Sequence, residues 1–331
     1  MLRQISRQAL RALTLGMVAL VAATAGVLVW GAAAYDKPGP LREDATIVLP
    51  RGSSVGRISK ILESRGVLAQ PNLFGIVVRA SGLSGSLRAG EYLVPARASM
   101  RAVTELLTDG ETVVHRLTSA EGLTTTEIMR IVEQHEALTG TVLVDVAEGT
   151  LLPETYHYAF GDTRQEMIDR MQLAMTDLIE ELWLSRTADL PINTPAEAVI
   201  LASIVEKETA VANERARVAG VFVNRLRRGM RLQSDPTVVY ALTAGSGPLG
   251  RRLTRNDLAI ESPFNTYRVG GLPPGPITNP GRASLAAVLN PAKTNDLYFV
   301  ADGEGGHAFA KTLAEHQRNV RRWRRIRAQQ D

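Results

Sequence analysis

The chain has 331 residues, 45% of them hydrophobic and 22% charged, and no cysteine. That is a globular composition, long enough for two or three packed units, and the missing thiols exclude disulfide frameworks, iron–sulfur clusters, thiolate nucleophiles and thiolate zinc sites. The net charge of +4 sits at the ends: Arg3, Arg7 and Arg11 at one, six arginines against Glu315 and Asp331 at the other. This leaves the body at −3 and excludes a basic nucleic-acid face, so no nucleic-acid partner is expected.

Residues 12 to 34 carry no charge and no polar face, and at helical rise they span a bilayer core of roughly 30 Å. The three arginines before them, against the cancelling Asp36 and Lys37, predict a short cytoplasmic tail over 1–11 and a single-pass anchor over 12–34 in the inner (cytoplasmic) membrane. The body then lies on the extracytoplasmic, periplasmic side. A cleaved signal peptide is the competing reading, since Ala32–Ala34 offers small residues, but its apolar region usually runs only about 7–15 residues.

Lys37-Pro38-Gly39-Pro40 reads as a linker, 35–44, before a small α/β module over 45–110. Thr46–Leu49 and Glu91–Val94 read as strands. Ser54–Ser64 and Pro71–Ala80 read as helices stopped by glycines, and Ser99 caps a third helix ending at Asp109-Gly110. Thr112–Leu117 is a strand leading into a larger domain over 111–331, so the expected class is mixed α+β. Gly52-Ser53-Ser54-Val55-Gly56 has nucleophile-elbow spacing but reads better as a turn with Ser54 as N-cap. Gly245 to Gly250 matches a dinucleotide fingerprint without its βαβ frame, and no histidines have the i, i+4 spacing of a zinc helix. No metal and no cofactor is expected.

The densest signal runs from Thr194 to Tyr240. Thr194, Pro195 and Glu197 form an expected capping box for a helix through "AEAVILASIVEKET". Glu206 has Val199, Ala202 and Ser203 on its own face, so its carboxyl has little bulk over it. A partly desolvated, approachable carboxyl holds its proton toward neutrality, as a general acid must. The alternative is an exposed helix-end charge pairing with Lys207 or Arg215. Glu208, two residues on, points about 200° away, so only one of the pair faces a given cleft, and the small neighbours favour Glu206.

The segments "ILASIVEKETAVANERARVAGVFVNRLRRGMRLQSDPTVVYAL", "SPFNTYRVGGLPPGPITNPG" and "LYFVADGEGGHAF" resemble the endolytic murein transglycosylase (YceG-like) family, in order and spacing from about residue 45 to 320. The resemblance implies a membrane-tethered enzyme with a LysM-like module and a catalytic domain that cuts peptidoglycan glycan strands internally, with peptidoglycan synthases as partners. It places the catalytic glutamate on Glu206. Glu154 stands where the family has Asp, and Phe264 where it has Tyr.

The implied reaction needs one carboxyl: Glu206 protonates the bond between N-acetylmuramic acid and N-acetylglucosamine, then accepts the proton of the muramic C6 hydroxyl as that oxygen attacks its own anomeric carbon, leaving a 1,6-anhydro end. Gln233, Ser234 and Asp235, and Asn265, Thr266 and Tyr267, are the expected sugar-binding groups on loops facing Glu206; turn architecture is their alternative. His307 is either structural or in the cleft. The basic C-terminal stretch, with Val320, Trp323 and Ile326 on one side, reads as a docked helix or a contact for anionic groups. A non-catalytic wall-binding scaffold and a lysozyme-like hydrolase are the rival functions.

Overall fold

The structure is a computed structural model and describes residues 7–330. Arg3, with the first half of the expected cytoplasmic tail, lies outside the described residues, as does Asp331. The chain forms two compact units, Met1–His115 with Tyr158–Gly161, and Arg116–His157 with Asp162–Asp331.

The first unit contains α1 (Arg7–Asp36), β1 (Ala45–Leu49), α2 (Val55–Ser64), α3 (Pro71–Ala80), β2 (Gly90–Val94) and α4 (Met100–Asp109). Leu10–Asp36 of α1 is one apolar stretch of 27 residues, about 40 Å at helical rise and long enough to cross a bilayer. β1 and β2 pair antiparallel with Ile47 opposite Tyr92. Period-two alternation turns Ile47, Leu49, Tyr92 and Val94 inward onto Leu62, Phe74, Val103 and Leu107 of the three helices. Ser54 accepts the Arg57 N–H, so the elbow-like spacing is a helix start.

Residues 35–44 do not behave as a free linker. Tyr35 donates to Thr104 Oγ1 at 2.7 Å and the Gly39 N–H donates to the Arg97 carbonyl at 3.1 Å. A Cβ on Gly39 would stand 2.3 Å from the Ala98 carbonyl oxygen. Glycine is there because the backbone runs against backbone, a requirement that composition disguises as flexibility.

β3 (Val114–Thr118) pairs with β4 (Thr155–Ala159), each strand giving residues to both units. The second unit continues with α5 (Thr125–Gln134), α6 (Arg164–Leu184), α7 (Pro195–Glu208), α8 (Arg215–Arg227), α9 (Asp235–Thr243), α10 (Arg282–Leu289), a hairpin of β5 (Tyr298–Ala301) and β6 (His307–Ala310), and α11 (Leu313–Gln330). Capping boxes start α5 (Thr124, Glu127) and α6 (Thr163, Glu166). At α7, Thr194 accepts the Glu197 N–H, but the Glu197 carboxylate accepts from Asn193 N–H, so the box expected there is half made.

α7 is apolar nearly all round and is therefore the buried helix, packed by α6, α8, α9 and α10. Its small Ala198, Ala202 and Ser203 are fully buried and let neighbours approach closely. Ser203 Oγ also accepts the Ile277 N–H at 3.0 Å, which ties the Pro-rich loop before α10 to the helix. α11 docks on the hairpin, with Ile326 packed over Gly303 in its turn.

Candidate active site

The C-terminal end of α7 presents its two carboxylates in unlike surroundings. Glu206 has a side chain only 6% exposed. Its Oε2 accepts the N–H of Gly281, the residue that caps α10, at 3.0 Å, and its Oε1 lies 4.0 Å from the Arg215 guanidinium. Gly122 closes over it: a Cβ there would lie 3.4 Å from Glu206 Cγ. A carboxylate at a helix start with a cation beside it complements the orphan N–H groups and the helix dipole. Glu121 belongs to the same group, and burial followed by the Glu206 charge raises its pKa.

Glu208 lies on the wall of a separate cavity of about 520 Å³. Ser234 Oγ donates to its Oε1 at 2.5 Å. Protein atoms packed round the carboxyl push its pKa up to about 7, with Asp235 adding to the rise while the Ser234 bond, His307 and Arg225 oppose it. Burial outweighs those, so near neutrality this carboxyl still carries a proton in about half of the molecules.

The expected sugar-binding residues divide. Gln233, Asp235 and Tyr267 line the Glu208 cavity, not the surroundings of Glu206. Tyr267 donates its hydroxyl to Asp235 Oδ1 at 2.6 Å, and Gln233 is held at φ 50, a left-handed backbone rare outside glycine. Asn265 and Thr266 are fully buried, and Ser234 is 1% exposed. Asn265 Nδ2 donates to the Leu258 and Ile260 carbonyls, and its Oδ1 accepts the Tyr267 N–H. Thr266 Oγ1 accepts the Ser234 N–H and bonds Thr237. The polar atoms of these three are bonded within the protein and fix the loops that present Gln233, Asp235 and Tyr267, as turn architecture would.

His307 is in the cleft. It lines the Glu208 cavity, its Nδ1 is 2.7 Å from Glu214 Oε2, and its backbone N–H donates to Glu214 Oε1. Arg225, 7% exposed, is another wall of the cavity. It donates to the Leu232 and Leu297 carbonyls, both at 2.6 Å, and burial lowers its pKa. Trp323 and Val320 of α11 also line the cavity, so the basic C-terminal helix is docked. Sequence reasoning overlooked Arg225 and Glu214, which bond Leu297 and His307 across 72 and 93 residues of sequence. Glu154 is exposed near Glu121, and Phe264 packs against Tyr240 at 4.9 Å between ring centroids. Among the described residues no group of three or more His, Asp or Glu is arranged to hold a metal ion.

The YceG-like family model matches residues 47–322. A Bacillus subtilis protein named endolytic murein transglycosylase is 32% identical over 329 residues, covering 88% of this chain and 90% of that protein. A Streptococcus pneumoniae protein of the same name is 31% identical and covers 83% of this chain, which spans 57% of that longer protein. The crystal structure of a YceG-like protein from Listeria monocytogenes aligns with a TM-score of 0.53 at 30% identity, over 83% of this chain and 98% of that one. On a family match across most of its length and relatives above 30% identity, the chain belongs to the YceG-like family.

Proposed function

We propose that this chain is a membrane-anchored endolytic transglycosylase of peptidoglycan and that Glu208, rather than Glu206, is its general acid. The names of the Bacillus and Streptococcus relatives support the activity. One observation carries the residue: Glu208 shares its cavity with Gln233, Asp235 and Tyr267 and holds a proton near pH 7, whereas Glu206 is committed to Gly281 and Arg215. The same family match applies to either glutamate, since both stand in "VEKE". The choice between them therefore rests on surroundings.

In this reading a glycan strand lies with an N-acetylmuramic acid–N-acetylglucosamine bond over Glu208. The carboxyl gives its proton to the leaving oxygen as the bond to the anomeric carbon breaks, and the muramic C6 oxygen closes on that carbon while its own proton passes to a base in the cavity, producing a 1,6-anhydro end. An intramolecular nucleophile supplies by proximity what a second carboxylate supplies in a hydrolase. Gln233 offers an amide to sugar hydroxyls and acetamides, and Tyr267 a ring for a pyranose face. α1 anchors the enzyme, and the extracytoplasmic side, where the wall is, receives the body. The strand–helix–helix–strand order of β1, α2, α3 and β2 supports a LysM-like glycan-binding role for the small unit, with synthases as neighbours.

The test is digestion of purified glycan strands by the full chain in detergent, with end groups read by mass spectrometry. E208Q is expected to release fragments on the order of 10³-fold more slowly, while E206Q retains the chemistry in whatever fraction stays folded. The reverse pattern returns the role to Glu206, and ordinary reducing ends make the enzyme a hydrolase.

A further inference from the structure

The mechanism above leaves unused a histidine of the cavity wall, His307, and the carboxylate bonded to it. Glu214, immediately before α8, accepts both the backbone N–H of His307 and the ring Nδ1, at 3.0 and 2.7 Å. The pair is sheltered, its side chains 17% and 19% exposed. Two bonds from one carboxylate fix ring and backbone together, and a carboxylate on Nδ1 selects the tautomer with the proton there. Nε2 is then the free lone pair. It has no protein partner among the described residues and is not enclosed, and the ring is part of the cavity wall shared with Glu208. Phe299 and Phe309 stand edge-on or tilted to the ring, at 5.4 and 6.3 Å, and hold it without competing for its nitrogens.

A carboxylate-oriented imidazole facing a protonated carboxyl across one cavity is an acid and a base placed for one reaction. We propose that His307, positioned by Glu214, is the general base that takes the proton of the muramic C6 hydroxyl, so that the acid and base roles fall on two residues instead of one. The inference rests on the reading of Glu208 as acid. The Glu208 proton passes to the glycosidic oxygen as the C1–O4 bond breaks; the C6 oxygen bonds to C1 as its proton moves to His307 Nε2. The products are a free 4-hydroxyl, an anhydro ring, a Glu208 carboxylate and an imidazolium paired with Glu214. Proton exchange with solvent returns the imidazolium and carboxylate to their starting forms. A general base of this kind contributes about 10²–10⁴ in rate.

The charged and titratable groups around the ring are Glu214, Asp302 in the β5–β6 turn, Glu208, Asp235, Arg225 and His316. The proposal assigns the two limbs of the pH–rate profile separately: the alkaline fall to loss of the Glu208 proton, the acid fall to protonation of His307. The experiment measures kcat and KM on purified glycan strands across pH for the full chain, H307Q and E214Q, with thermal melting to confirm folding. H307Q is expected to lose on the order of 100-fold in kcat with KM within about threefold, and to lose the acid-side fall while keeping the alkaline one. E214Q releases the imidazole from its partner, and kcat is expected to fall on the order of tenfold with KM within about threefold. A structural role for His307 moves neither limb. The proposal is overturned by an H307Q enzyme within about threefold of native kcat with the acid limb in place, or by an E214Q enzyme whose kcat is native. E208Q retaining its rate sinks the acid assignment instead, and appears on the alkaline limb, so the two failures are distinguishable.

Discussion

Ser234 Oγ donates to Glu208 Oε1 at 2.5 Å, across 26 residues of sequence, from the loop that also presents Gln233 and Asp235 to the cavity. The bond favours the charged carboxylate and opposes the larger effect of burial. The loop carrying the cavity's polar groups thus also sets how readily the acid gives up its proton.

Ser234→Ala follows directly. Removing a donor to the carboxylate disfavours the ionised form, so the pKa of Glu208 rises further. The alkaline-side fall in transglycosylase rate is expected to move up by about 0.5–1 pH unit, read from initial rates on glycan strands between pH 5 and 9. A downward move refutes the account of the bond.

Stability carries the same signature. Glu208 titrates near the ordinary glutamate value of 4.5 when unfolded and at about 7 when folded. Below 4.5 both states hold the proton and the contribution of this group to stability is greatest. Between 4.5 and 7 only the folded state holds it, so stability falls with rising pH, by about 3 kcal/mol over the window, and levels off above. Calorimetry of the native chain and E208Q at several pH values checks this, because the substitution is expected to flatten that slope.

Tyr267→Phe removes the hydroxyl that Asp235 accepts at 2.6 Å while leaving the ring. Asp235 is then free to turn in the cavity, and kcat/KM is expected to fall about three- to tenfold, mainly through KM, with little change in melting temperature.

Asn279 tests the scaffold rather than the chemistry. It is fully buried; its Nδ2 donates to Thr125 Oγ1 and Glu148 Oε1, both at 3.0 Å, and its Oδ1 accepts the Leu151 N–H at 2.9 Å. Asn279→Ala strands these partners, of which Glu148 already has its pKa raised by burial. A loss of about 2–4 kcal/mol is expected, seen as a melting temperature lower by roughly 4–12 °C. From the sequence this residue reads only as the start of an Asn-Pro-Gly turn.

Much of the local structure was legible beforehand. The apolar span of α1 and the helix starts at Ser54, Ser99 and Thr194 follow from spacing and capping, which act over a few residues. The Gly39 region and the buried Asn265 and Thr266 did not, because polar and turn-forming residues look alike whether they face solvent or satisfy distant backbone.

By itself the sequence determined that a helix ends in Glu206-Lys207-Glu208 and that its carboxylates diverge by about 200°. It also determined the family, through motifs long enough to recognise. That Glu208 lines an open cavity was decided by tertiary structure alone. Gly122 and Gly281 close over one side of α7, while the loop at 233–235, the hairpin and α11 leave a space on the other. A side chain's desolvation depends on atoms brought from 17 to more than 100 residues away, and no short window around the glutamates contains them.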